Sequence, residues 1–212
     1  MKSNPALKLF TGLTLALLSA CSPENKSTLL LPIMGEKKVM NQDTVYHRVA
    51  DFRLINQYGD TVSQKSTEGK IYVANFFFAT CQSICPEMSS QLKLVQAAFA
   101  EDDSVLILSH SVNPMHDTVE VLSAYAAVYG AQKNKWHMLT GDKKQIYELA
   151  KSSYLVNALE DDGSPEGFLH SELFLLIDTK GRIRGMYDGT YAPDVQKLIK
   201  DIILLKKEKI KP

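Results

Sequence analysis

An α/β domain with a mainly parallel central sheet is the architecture that this 212-residue sequence predicts. Strand-like and helix-like segments alternate along the chain, the pattern of strands joined by crossover helices. Two strand-like runs, 71–78 and 105–109, are predominantly β-branched, aliphatic and aromatic, the character of strands buried on both faces of a sheet. Late in the chain, the turn Asp178-Thr179-Lys180-Gly181 separates 172–177 from 182–187 and adds antiparallel strand. The expectation is a mixed sheet flanked by helices, in one compact domain.

The elements follow in order. Lys2 and Lys8 precede the apolar run 9–18, too short for a permanent membrane span and followed by small residues. Residues 1–20 therefore read as a signal peptide. Leu18-Ser19-Ala20-Cys21 resembles the lipobox of bacterial lipoproteins, in which the cysteine becomes the lipidated first residue. Residues 21–44 are polar and lack sustained periodicity, apart from the apolar patch 29–34, and read as a tether partly pinned by that patch. The domain proper spans 45–212. It opens with a hairpin, 52–55 and 61–63 around the Gly59-containing turn.

The strand 71–78 comes next, then a helix from Pro86 to about residue 100, with Leu92, Val95 and Phe99 at helical spacing and Met88 one turn earlier. Strand 105–109 precedes a helix capped by Asp117 or Thr118 and ended at Gly130. Trp136 to Leu139 is a short strand, and Asp142 opens a helix to about Tyr154. An acidic loop, 160–167, leads into the late hairpin. Pro193 begins a last helix to about Lys207, with Val195, Leu198, Ile199, Ile202 and Ile203 on one face.

Charge is balanced, 24 basic against 24 acidic residues, which excludes the basic footprint of a nucleic-acid binder. Loss of the leader would leave 22 against 24, a mildly acidic chain. Of three cysteines, lipidation would take Cys21 and leave Cys81 and Cys85 as a pair. In an exported protein such thiols need a reductant or a metal to persist.

That pair is the most informative feature. Cys81-Gln82-Ser83-Ile84-Cys85-Pro86 stands where strand gives way to helix. Pro86 suits a first helical turn, because its φ is already helical and its missing N–H would have had no partner. The positive end of the helix dipole favours thiolate, the form that attacks disulfides and binds metal. Cβ atoms four apart on a helix are about 5–6 Å from each other, wider than the ~3.8 Å of a relaxed disulfide. Two metal–sulfur bonds of about 2.3 Å span that gap easily. Spacing favours metal and leaves redox chemistry open. Further ligands would come from His47, His110, His116, His137, His170, Met88 or Met115, and His170 stands where a loop meets a strand of the sheet.

The stretch Phe76 to Pro86 resembles the CxxxCP signature of the Sco/SenC family of copper proteins. Ser111-Val112-Asn113-Pro114-Met115-His116-Asp117-Thr118 is similar to the family's S-V-D-P-x-x-D-T segment, and Trp136-His137-Met138-Leu139-Thr140-Gly141 to another. His170-Ser171 stands where the family's metal-binding His does. The similarity runs from about Val45 to Leu205 with four motifs in order.

The resemblance implies a thioredoxin-like fold whose Cys81, Cys85 and His170 ligate one copper ion, Cu(I) or Cu(II). Asn113, where the family usually has Asp, and Asp117 would lie near the site. It also implies a role in assembly of cytochrome c oxidase. The protein would supply copper to the binuclear centre on subunit II, or reduce that centre's cysteines. Partners would be that subunit or another copper acceptor, with a periplasmic thiol reductant or copper donor, and a membrane reached through the lipid anchor. The protein would thus be an exported lipoprotein facing the periplasm. A metal-free thiol–disulfide oxidoreductase using Cys81 and Cys85 is the alternative, although that class usually has CxxC and a proline before the facing strand. A peroxidase would need an Arg beside Cys81, with Arg182 and Arg184 at unknown distance, and a structural zinc site would need a fourth ligand.

Overall fold

The protein is described by a computed structural model over residues 30–40, 43–156 and 171–208. The expected leader, Cys21, the acidic loop and His170 lie outside the described residues.

A two-stranded ribbon comes first, β1 (Lys37–Met40) antiparallel to β2 (Asp43–Tyr46). It supplies the amino-terminal hairpin extension expected of the fold, earlier in the chain than the hairpin legible at 52–63. All eight of its residues are exposed, so it carries no one-sided apolar pattern for a sequence to reveal. The hairpin around Gly59 is present as β3 (Arg53–Asn56) and β4 (Thr61–Ser63), followed by a single turn of helix, α1 (Gln64–Thr67). Gly59 sits at φ +80°, where a side chain would be strained.

β5 (Ile71–Phe77) and β6 (Val105–Ser111) are buried at every position and pair in parallel, as their predominantly apolar character implies. β6 extends two residues beyond the expected strand. Ser109 and His110 are tolerated inside because each finds a partner on β5: Ser109 Oγ donates to Asn75 Oδ1 at 2.6 Å, and His110 Nδ1 lies 3.3 Å from the Asn75 carbonyl. β7 (Trp136–Thr140) extends the parallel set and accepts β3 antiparallel on its outer side. β8 (Leu173–Ile177) and β9 (Ile183–Asp188) add the expected antiparallel hairpin on the other flank. The sheet has the order β4-β3-β7-β6-β5-β8-β9.

Helices α2 (Ile84–Ala98), α3 (Val119–Tyr129) and α5 (Ala192–Lys207) pack on one face, α2 touching both others. The two-residue period of β5 shows both faces at once. Phe77 meets Tyr125 of α3, and its neighbour Phe76 meets Tyr154 on the opposite side. That opposite side is covered by α4 (Lys143–Glu148), capped by Asp142, whose side chain accepts from Gln145 N–H. The helix expected to reach Tyr154 in one piece instead widens into a π turn at Leu149–Ser153. No helix among the described residues is long and apolar enough to cross a membrane.

The patch at 29–34 meets the domain at one end of the sheet. Leu31 is buried, its N–H donates to Glu208 Oε1 at 2.7 Å, and Met34 N–H donates to the Ile183 carbonyl at 2.9 Å. Arg184 closes this corner: Nη2 donates to the Leu31 carbonyl and to Glu208 Oε2 at 2.6 Å each, Nε to the Pro32 carbonyl at 3.0 Å, and Nη1 to Asp178 Oδ2 at 3.2 Å. Ile183 pairs with Ile177, and Ile177 neighbours the Tyr72 pairing at the start of β5. The corner therefore lies at the end of the sheet opposite to that from which the chain runs on to Cys81.

Candidate metal centre

Cys81 follows β5 by four residues, and Cys85 is the second residue of α2. The helix begins two residues earlier than expected, with Pro86 third in its first turn, a position where a missing N–H still costs nothing. Neither thiol is in a disulfide, and both are buried, Cys81 at 5 % and Cys85 at 2 % exposure. Ser83 occupies the cap position of α2 without capping it. Its hydroxyl lies 3.4 Å from Cys81 Sγ instead.

That diversion has an electrostatic consequence. Burial pushes the Cys81 thiol up, but hydrogen bonds from the Ser83 hydroxyl, the Cys85 thiol and the backbone amides of Cys85 and Ser83 outweigh it. The net result is a thiol below its ordinary value. Donors that converge on one sulfur favour its anion, the form needed for metal or for disulfide exchange. Ser83 was not singled out from the sequence, although a Ser between paired cysteines at a helix start is a readable signal.

Beside Cys85, the side chains of Phe78, Ile84 and Val112 with Ser171 line a narrow crevice of about 10 Å³, about what one water-sized group needs. Ser171 is the residue that follows His170.

The loop after β6 supports the loop after β5. Asp117 is wholly buried; its Oδ2 accepts from Ser111 Oγ at 2.5 Å and from Ala79 N–H at 3.1 Å, two residues before Cys81. Val112 N–H donates to the Phe77 carbonyl at 2.9 Å. Asn113 acts through its backbone. Its N–H donates to Ser111 Oγ at 3.1 Å, and its carbonyl accepts from His116 and Asp117 N–H at 3.1 and 2.9 Å. An Asp would hold the turn in the same way, so replacement of the family's usual Asp leaves this scaffold intact.

Other candidates are engaged elsewhere. His47 Nε2 lies 2.8 Å from the Ser153 carbonyl, and His137 Nδ1 lies 3.2 Å from Asn56 Nδ2. His110 is fully buried, stacked on Phe76 with centroids 5.1 Å apart, and its Nε2 meets no hydrogen-bonding partner. Burial holds it at about 4, neutral at physiological pH. Met88 is in the core, and Met115 and His116 are at the surface. Arg182 and Arg184 pair with Asp178 in the corner remote from the thiols, which removes the cationic support a peroxidatic Cys81 would need. Among the described residues, no group of three or more His, Cys, Asp or Glu side chains is placed to hold a metal.

Comparison with known proteins agrees with this arrangement. Residues 41–205 match the SCO1/SenC family. A SCO1/SenC family lipoprotein from Bacillus anthracis strain Ames superposes with a TM-score of 0.69 at 29 % identity, covering 76 % of this chain and 96 % of its own. BsSco, described as a member of the Sco family of cytochrome c oxidase assembly proteins and as carrying a disulfide switch, superposes at 0.67 with 28 % identity, covering 77 % and 95 %. The ScoI protein of Arabidopsis thaliana, solved with copper bound, superposes at 0.61 with 25 % identity, covering 75 % and 98 %. The thioredoxin-like fold that the resemblance implies is the fold they share with this protein. With most of its length matched and both cysteines inside the matched region, the chain belongs to the SCO1/SenC family.

Proposed function

We propose that this protein binds one copper ion through Cys81, Cys85 and His170 and delivers it to the binuclear copper centre on subunit II of cytochrome c oxidase. The observation that carries the reading is the thiol pair itself: two sulfurs outside any disulfide at the head of α2, Cys81 held toward its anion and Cys85 lining a narrow crevice. Copper bound to a relative and the assembly role ascribed to another support it. So does Ser171 in the wall beside Cys85, because consecutive Cα atoms lie about 3.8 Å apart and His170 directly precedes it. Two thiolates suit Cu(I), and an added imidazole suits Cu(II), so one donor set serves both oxidation states.

The lipobox-like sequence ending in Cys21, together with a lipoprotein among the relatives, supports an exported protein anchored by lipid and facing the periplasm. The depressed Cys81 thiol favours a second activity, reduction of an acceptor's disulfide before loading. Cys81 would attack, Cys85 would resolve the mixed disulfide, and a periplasmic reductant would restore the pair.

Anaerobic titration of the reduced chain with Cu(I) and Cu(II) tests the copper reading. One ion per chain is expected, with His170→Ala weakening Cu(II) far more than Cu(I) and Cys81→Ser abolishing both. Equal copper binding by wild type and the Cys81 variant would overturn it.

A further inference from the structure

The turn that positions Asp117 carries two metal-binding side chains that the copper set above leaves out. Met115 is 85 % exposed, more than any other large apolar side chain among the described residues, so packing does not account for it. His116 beside it is 50 % exposed, and its Nδ1 lies 3.0 Å from Oδ1 of the wholly buried Asp117 carboxylate. A carboxylate only accepts, so Nδ1 carries the proton and donates it. In the neutral ring the lone pair is then on Nε2, which makes no hydrogen bond to a described residue. An imidazole braced by a carboxylate on one nitrogen with the other left open is the arrangement that holds metal-binding histidines in place.

The brace also reaches the thiols. Asp117 takes the N–H of Ala79 on its other oxygen at 3.1 Å, and Cys81 lies two residues on, within about 7 Å of chain. The turn is fixed by the bonds of His116 and Asp117 N–H to the Asn113 carbonyl, while the thioether of Met115, with three rotatable bonds, can swing to an ion held by Nε2.

We propose that Met115 and His116 form a surface capture site for Cu(I), from which the ion passes to Cys81 and Cys85. This rests on the copper reading above. Thioether and imidazole are soft enough to take Cu(I), and two neutral donors hold it less firmly than two thiolates, so the ion runs inward. In the transfer, the bonds from copper to Nε2 and to the thioether break as two copper–thiolate bonds form. Copper stays in the +1 state, and each thiol releases its proton to solvent.

Two experiments test it. In a Cys81→Ser/Cys85→Ser chain with methyl-labelled methionine, anaerobic addition of Cu(I) as its acetonitrile complex should shift the Met115 methyl and His116 ring signals. A further His116→Gln change should weaken this binding by about tenfold or more. Absence of shifts at both residues would overturn the proposal. In the chain with both cysteines, Met115→Leu with His116→Gln should slow Cu(I) loading by about tenfold or more while the final stoichiometry stays at one copper per chain. Loading at the wild-type rate would equally overturn it. Should the wild type take no copper on its cysteines, the copper reading falls instead, and the signals of Met115 and His116 in the Ser variant still report on capture.

Discussion

Asp117 is where one substitution should tell most about how the thiol loop is held. Its carboxylate receives a buried hydrogen bond from Ser111 Oγ at 2.5 Å, a partly buried one from Ala79 N–H at 3.1 Å, and a third from the half-exposed His116 ring. Bonds to a charged acceptor contribute about 1.5–3 kcal/mol each, so Asp117→Ala should cost about 3–6 kcal/mol, with the exposed contact adding less than about 1. That is a large share of the roughly 5–15 kcal/mol that holds a typical domain together. Asp117→Asn should cost far less, about 1–2 kcal/mol, because the amide oxygen can take the Oδ2 position and accept from both Ala79 N–H and Ser111 Oγ, while the amide nitrogen faces His116 Nδ1, which can accept from it in the other tautomer. Urea unfolding of the reduced, metal-free chain measures both. A difference between the Ala and Asn variants below about 0.5 kcal/mol would refute the view that this carboxylate ties the two loops together.

Two further expectations concern protons. Ser83→Ala removes one donor to the Cys81 sulfur, so the pH midpoint for alkylation of Cys81 should rise and its alkylation at neutral pH should slow; an unchanged or lower midpoint would show that the hydroxyl does not stabilise the thiolate. His110 titrates at about 4 in the folded chain against 6.5 when unfolded, so the unfolded state binds the proton first. The stability tied to its neutral form is complete above about 6.5 and is lost as pH falls toward 4, by about 3 kcal/mol. His110→Phe should flatten that limb of the stability curve, and an acid limb as steep as wild type would place its origin elsewhere.

The fold was legible where burial is one-sided or complete. Ile71–Phe77 and the Val195, Leu198, Ile202 face of α5 have periods that only one structure satisfies. The β1–β2 ribbon was not legible because both its faces are wet, and the π turn because Leu149 and Ala150 fit a plain helix equally well. The end of β6 was hidden for a different reason. His110 and Ser111 look like a loop, and only Asn75 on the neighbouring strand and Asp117 on the loop that follows make them strand. At the site, chain order revealed the cysteines and the Ser111–Thr118 segment. It could not reveal that Asp117 reaches across to Ala79, or that Ser83 forgoes its cap to face Cys81, since both depend on where loops from different strands come to rest.

The amino-terminal strap at Leu31–Met34 is moored by Arg184 and Ile183 at the foot of the sheet, while the sulfurs stand at its head. The seven residues of β5 alone separate the two by about 20 Å. If Cys21 carries the lipid proposed above, a leash drawn from that foot would tug on the base and leave the working end pointing outward. The nine residues between positions 21 and 31 allow about 30 Å of slack at full stretch. With that anchor, height above the mooring, rather than affinity alone, would decide which recipients come within touching distance, and a recipient centre lying flush with the bilayer would meet the wrong pole of the molecule.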